Sequence, residues 1–236
     1  LNIMYSLDFY RNIFNNKIET NILKRDILVG IYSNVHSYDI KQTIEYTEFG
    51  ELFGDVVLIT PGSSRNITNH IDLLIIPGGA DVNPNRYNEK RHIRTGNSND
   101  YYEELDLTVA ASMIEKEKPV FGICRGFQTI NVILGGKLVQ HVDSHQIQGM
   151  TTCLVKKEYL LKPESTYDYL FYNINSRHHQ AVTTYNIADE LIPIAFDKQE
   201  VKNNKGNITY STTNMVEAFV SKNGLIAGVQ WHPEDI

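Results

Sequence analysis

A doubly wound, mostly parallel α/β sheet with flanking helices and antiparallel edge strands is the fold this sequence predicts, and three observations carry it. Short apolar runs alternate with segments of helical periodicity along the first half of the chain. One of those runs, Leu73–Ile76, stops at Pro77-Gly78-Gly79, and another, Pro119–Ile123, gives way directly to a helical run. The second half changes character and closes on a hairpin pattern, so antiparallel strands flank the parallel sheet.

Taken in order, Ile27–Tyr32 reads as the first core strand and Asp55–Thr60, ahead of Pro61-Gly62, as the next, with a helix across Ile40–Phe53 joining them. Ile71–Ile76 and Pro119–Ile123 supply further buried strands, connected by a helix over Glu103–Lys118. In that helix Leu105, Val109 and Met113 recur every four residues on one face, while Glu115 to Lys118 face water. Met215–Ser221, a turn at Asn223-Gly224, and Leu225–Trp231 form the hairpin. There is no internal repeat, low-complexity tract or dividing linker, so residues 27–236 read as one α/β domain and residues 1–26 as an N-terminal extension.

Composition excludes several classes of function. A formal charge of −6 without any basic block argues against nucleic acid as a ligand. Two cysteines leave no disulfide framework, which favours a reducing, cytoplasmic compartment. No apolar run approaches the roughly 18 residues of a membrane span. The first residues carry Asp8 and Arg11 and lack the apolar core of a signal peptide.

Chemistry concentrates at Gly122-Ile-Cys124-Arg-Gly126-Phe-Gln128, where one cysteine stands between two glycines at a strand-to-helix turn. Such a turn holds its central residue in strained backbone, and its glycines leave room for neighbouring backbone and substrate. The thiol then lies at a helix N-terminus, which favours the thiolate. A lone cysteine is more often a small buried side chain, but two distant segments complete a nucleophile's requirements. Gly228-Val-Gln-Trp-His232-Pro-Glu234 delivers a base and an orienting carboxylate two residues apart. Pro77-Gly78-Gly79 is a turn almost without side chains, able to aim a backbone N–H at a developing oxyanion. Cys153, flanked by apolar residues, reads as a packed strand position.

These motifs, with Pro77-Gly-Gly-Ala-Asp81-Val-Asn-Pro84 and Tyr87, Gly135-Gly136-Lys-Leu, and Asn175-Ser176-Arg-His178-His179-Gln180, resemble the class I glutamine amidotransferase domains. Among these the chain looks most like the gamma-glutamyl hydrolases of peptidase family C26, from about Ile27 to its end. The resemblance implies a flavodoxin-like doubly wound fold and hydrolysis of a gamma-glutamyl amide through a thioester. It implies Cys124 as nucleophile, His232 as base and acid, Glu234 as its orienting carboxylate, and the backbone N–H groups of Gly79 and Arg125 as the oxyanion hole. It also places Gln128, Ser176, His178 and His179 around the glutamyl end of the substrate, with His141 and His145 in a loop at the rim.

No cofactor is implied. No metal is expected either, since the adjacent His178 and His179 have no third ligand at zinc spacing nearby. The alternative function is the glutaminase subunit of a two-part amidotransferase that passes ammonia to a synthetase. The partners are therefore a small gamma-glutamyl substrate, a synthetase under that alternative and, as a further option, a second copy in a homodimer. The third competing reading is a non-catalytic member of the fold, against which an intact Cys, His and Glu weigh. Two departures stand out. Residues 1–26 precede the family's usual start and read as a surface helix or arm, and the closing helix that family members add after Glu234 is not in this sequence. The extension is a candidate to cover the surface that helix would occupy.

Overall fold

In the computed structural model, the described residues are 10, 27–33, 40–63, 66–143, 145, 149–160 and 166–235. Strands β1 (Leu28–Tyr32), β2 (Asp55–Ile59), β3 (Leu73–Ile76), β4 (Val120–Ile123) and β10 (Ile226–Val229) pair in parallel in the order β2-β1-β3-β4-β10. Beyond β10 the same sheet continues antiparallel through β9 (Ile208–Ser221), β8 (Leu191–Lys202), β5 (Gly149–Lys156) and β6 (Tyr169–Ser176). The short β7 (Val182–Thr183) pairs with β9. The expected class is thus the observed one, a mixed sheet with a parallel core, flanking helices and antiparallel strands.

The inner parallel strands β3 and β4 are buried at every residue because both faces are covered. Leu73 and Ile75 of β3, with Phe121 and Ile123 of β4, enter one core, and Leu74, Ile76 and Val120 enter the other. Helix α1 (Ile40–Glu51) packs Tyr46 and Phe49 into the first. A short α2 (Ile67–His70) precedes β3. The second core is closed by α3, made of Asp100–Leu105, a π-helical stretch Asp106–Ala110, and Ala111–Glu115, and by α4 (Arg125–Ile133). Leu105, Val109 and Met113 are all buried there, on the face their spacing predicts. The helix begins earlier than its apolar period suggests, because the Asn99 side chain accepts from the Tyr101 and Tyr102 amides at 3.0 and 3.3 Å.

Of residues 1–26 the structure describes Tyr10, and this residue is not on a surface arm. It is 1 % exposed, packs edge-on against Phe49 and Phe121, and its hydroxyl accepts from Trp231 Nε1 at 3.2 Å. Tyr10 thereby props the strand end that carries His232. Tyr10→Ala leaves a cavity between the Phe49 and Phe121 rings and the indole, so a loss of about 3 kcal/mol and a melting point lower by roughly 6–10 °C are expected in thermal denaturation. An unchanged melting curve would show that the ring's packing contributes little.

Candidate active site

Cys124 sits where β4 ends and α4 begins, at φ 51° and ψ −103°, a backbone conformation that only tight surroundings impose on a residue with a β-carbon. Its amide donates to the Val229 carbonyl at 2.9 Å and its carbonyl accepts from the Gln128 amide at 3.2 Å, so strand and helix grip the residue from both sides. The flanking glycines are sterically required. A β-carbon on Gly122 would come within 2.5 Å of the Gly126 carbonyl group, and one on Gly126 would collide with the Ile76 carbonyl oxygen.

β10 runs beside β4 and hands the chain to His232, which lies over the elbow. His232 Nδ1 meets Glu234 Oε1 at 2.7 Å, so the carboxylate fixes the tautomer with the proton on Nδ1 or, in the imidazolium, holds that proton. A β-carbon placed on Gly78 would lie 3.0 Å from the ring's Cε1 and 3.5 Å from Cys124 Cβ, so ring and thiol face the same turn. Burial alone lowers the basicity of this imidazole, but the charge and hydrogen bond of Cys124, followed by those of Glu234, outweigh it and push His232 up to about 10. Asn175 holds the backbone of the same residue twice, its Oδ1 accepting from the His232 amide at 2.7 Å and its Nδ2 donating to the His232 carbonyl at 2.9 Å.

The Pro77-Gly78-Gly79 turn closes the site from the end of β3. A side chain at Gly78 would fall 2.7 Å from the Tyr46 hydroxyl, 3.0 Å from His232 Cε1 and 3.5 Å from Cys124 Cβ, so the absence of one is what lets the three groups converge. The Gly78 amide is committed to the Tyr46 hydroxyl at 2.9 Å. Burial first, then the nearby Glu234 carboxylate, keep that phenol protonated, far above its ordinary range. Among the described residues neither the Gly79 nor the Arg125 amide is engaged by the protein, so both are free to donate. Arg125 itself is anchored from behind. Its Nη2 reaches Asp106 Oδ2 at 2.7 Å and Glu103 Oε1 at 3.2 Å, Arg86 shares both carboxylates at 2.9 and 3.1 Å, and the Tyr102 ring faces the guanidinium. Beside Gly78 and Gly79 opens a pocket of about 160 Å³, walled by Tyr46, Tyr102, Ala80 and Asn99.

The other expected site residues are placed as follows. Gln128 is buried under the elbow, its Nε2 donating to the Gln180 carbonyl at 2.9 Å and to Gln230 Oε1 at 3.0 Å, which leaves Oε1 to accept from a ligand. Ser176 Oγ donates to the His145 carbonyl at 3.3 Å. His178 is 4 % exposed, with Nδ1 on the Gln180 carbonyl at 2.9 Å. His179 Nε2 pairs with Asp81 Oδ1 at 2.9 Å and its Nδ1 meets His141 at 3.2 Å, in a chain that continues to Asp143 and Arg94. His145 lies buried against the His178 ring instead of at the rim. Tyr46 and Asp106 carried no functional signal in the sequence, one inside an ordinary helix and one beside its apolar stripe. Asn175 had only its place next to Ser176.

Cys153 lies in β5 with no exposure, and burial pushes its thiol well up, whereas Cys124 stands beside an imidazolium. A glutamine-like diazoketone should therefore label Cys124 and spare Cys153, as read by peptide mass mapping. Equal labelling of the two would remove the distinction.

A strained cysteine at a strand-to-helix elbow, a His–carboxylate pair and a bare glycine turn on this sheet define a class I glutamine amidotransferase-like amide hydrolase. Within that class the chain belongs to the peptidase C26 family, whose pattern matches residues 33–234. It is 29% identical over 197 residues to the glutamine amidotransferase-like protein YvdE of Lactococcus lactis, covering 79% of this chain and 77% of that one. It is 33% identical over 193 residues to a Schizosaccharomyces pombe protein named as a glutamine amidotransferase, covering 78% and 70%. In fold it is similar to the glutaminase domain of Trypanosoma brucei CTPS with bound acivicin, at a TM-score of 0.57 and 13% identity over 89% and 87% of the two chains. It is likewise similar to a chain of PurLQS from Thermotoga maritima, at 0.56 and 16% over 89% of each.

Proposed function

We propose that this protein hydrolyses gamma-glutamyl amides, with Cys124 as nucleophile and His232–Glu234 as its acid–base pair. The observation that carries the reading is the convergence of the strained Cys124, His232 and the side-chain-free Gly78 within a few ångströms of one another. Cys124 Sγ adds to the amide carbon, and the oxyanion that forms is met by the Gly79 and Arg125 amides. His232 gives its proton to the departing nitrogen as the C–N bond breaks, leaving a thioester. Water, deprotonated by His232, then adds to the thioester carbon, the C–S bond breaks, and glutamate leaves as Cys124 regains its resting state.

Preference for a gamma-glutamyl group is supported by Gln128. With both amide hydrogens held by Gln180 and Gln230, its Oε1 is a fixed acceptor one helical turn past the nucleophile, suited to an α-ammonium. His178 and His179, their rings occupied elsewhere, contribute through their backbone. The pocket beside Gly79 receives the amine, and its polar and aromatic walls suit a short polar chain.

The test measures glutamate released from a series of gamma-glutamyl amines, their des-amino analogues, and the α-glutamyl and D-glutamyl isomers. Each unmatched buried polar group costs about 1–3 kcal/mol, so loss of either α-substituent should lower kcat/KM roughly tenfold to a hundredfold or more. Equal rates across the set would reject the gamma-glutamyl assignment. Slow turnover confined to glutamine and accelerated by a synthetase would instead favour the ammonia-delivering reading, to which the multi-part assemblies named for the similar structures lend support.

A further inference from the structure

Next to Gln128, whose Nε2 shares the Gln180 carbonyl with His178 Nδ1, three buried side chains from distant parts of the sequence point at one another. His145 comes from the segment between α4 and β5, His178 from the turn after β6, and Glu217 from the middle of β9, and their donor atoms all lie within 4.8 Å of one another. Their backbones are tied together before any ligand is considered. The His178 amide donates to the His145 carbonyl at 3.2 Å, the Ser176 hydroxyl reaches the same carbonyl at 3.3 Å, and the Glu217 carbonyl accepts from Gln230 at 2.8 Å.

The state of His178 is decided by its neighbour. A carbonyl oxygen only accepts, so the contact of Nδ1 with the Gln180 carbonyl at 2.9 Å requires the proton on Nδ1 and leaves a lone pair on Nε2. That lone pair is buried, has no hydrogen-bond partner among the described residues, and faces Glu217 Oε1, itself buried and unpartnered, at 3.8 Å. Two electron-rich atoms aimed at each other across a buried gap repel unless something positive lies between them. A single proton would serve if the atoms closed to hydrogen-bond distance, about 2.6–3.0 Å, but the gap is wider than that and a second imidazole converges on it. Asp197 Oδ1, 3.7 Å from His145 Nε2, stands at the edge as a fourth donor.

We propose that His145, His178 and Glu217, with Asp197 completing the shell, bind a divalent transition-metal ion of the zinc type. Two imidazoles and one or two carboxylates are the borderline donors such an ion prefers, and the Nδ1–H of His178 on a carbonyl is the outer-shell contact that orients a metal-bound histidine. Metal–ligand bonds of about 2.0–2.2 Å place neighbouring donors about 3.3 Å apart, so side-chain rotations that draw the donors in by about an ångström complete the site. Four protein ligands make it a closed, structural site with no open position for a substrate. It joins β8, β9 and the two loops that support the Gln128 pocket. The histidine spacing alone gave no hint of it, because the third and fourth ligands come from strands 19 and 39 residues away. None of its ligands is Cys124, His232 or Glu234, and its test does not use turnover.

The experiment loads the purified, chelator-stripped protein with Zn²⁺ alone, passes it through a desalting column and measures metal by mass spectrometry, alongside thermal melts. About one equivalent of zinc per chain and a higher melting point are expected. The Cys124→Ala protein should behave identically, while Glu217→Gln should retain less than a tenth of that zinc. Should Glu217→Gln fail to fold, His145→Asn, at a position 7 % exposed against 2 % for Glu217, should weaken zinc affinity at least tenfold with a native circular dichroism spectrum. Replacing zinc with Co²⁺ should give visible bands of a low-symmetry nitrogen–oxygen site without a thiolate charge-transfer band. Zinc-free protein with a melting curve indifferent to the ion would overturn the proposal and leave a protonated Glu217 as the occupant of the gap. A thiolate band, or loss of the metal in Cys124→Ala, would overturn it by placing the ion at the nucleophile.

Discussion

Cys124→Ala should abolish glutamate release, with kcat falling by about 10⁴-fold or more, while the protein stays folded. The methyl group occupies the space of the thiol's β-carbon and keeps the same strained φ of 51°, so the elbow, whose shape is set by the collisions around Gly122 and Gly126, has no reason to relax. What is lost is the nucleophile, which no neighbouring side chain can replace because Cys153 is sealed in β5. Steady-state kinetics beside a melting curve tests both halves of the statement. Full turnover in the folded variant would place the chemistry elsewhere.

The second large effect belongs to the imidazole. His232→Asn should lower turnover by roughly four to six orders of magnitude, since the variant can neither take the thiol's proton nor protonate the leaving amine. Glu234→Gln should cost less, roughly 10²- to 10⁴-fold, because the imidazole itself remains, on a backbone that Asn175 still holds. The same substitution has a signed effect on pH. Cys124 and then Glu234 raise His232 to about 10, so replacing the carboxylate with a neutral amide lowers the pH at which the imidazolium gives up its proton. The alkaline limb of the rate profile should therefore move down in Glu234→Gln. A limb that stays in place would mean the carboxylate does not act on that proton.

Much of this was legible in the amino-acid sequence where one physical cause dominated locally. Leu73–Ile76 and Val120–Ile123 are apolar on every residue because both faces of the sheet are covered, and Leu105, Val109 and Met113 mark their helix because one side of it is dry. Cys124, His232 and Glu234 announce themselves through glycine and proline spacing that only a constrained turn explains. Other features depend on contacts the sequence does not align. The outer part of the β8–β9 hairpin, Lys198–Lys202 with Ile208–Thr212, is largely solvated on both faces, so it has no alternation to read. Tyr10 is one of several aromatics beside Phe9 and Phe14, and only its bond to Trp231 sets it apart. Asp106 falls in a helix beside apolar positions, and only the fold brings Arg86 and Arg125 to its oxygen.

One feature of the sheet bears on how the chain reaches its native state. β10, which leads to His232, lies in mid-sheet between β4 and β9 and not at an edge, although it follows both in sequence. A chain emerging from the ribosome must therefore hold a parallel half ending at β4 and an antiparallel half ending at β9 as two separate pieces, each with an unpaired strand edge, until residues 226–229 slide between them. Contacts that span more than 200 residues, such as Tyr10 with Trp231, close in the same step. Assembly should be slow and vulnerable to self-association until that insertion, and the acid–base pair arrives with the strand that welds the halves. A nascent thiol is thus kept from meeting its base until the surrounding protein is able to enclose a substrate.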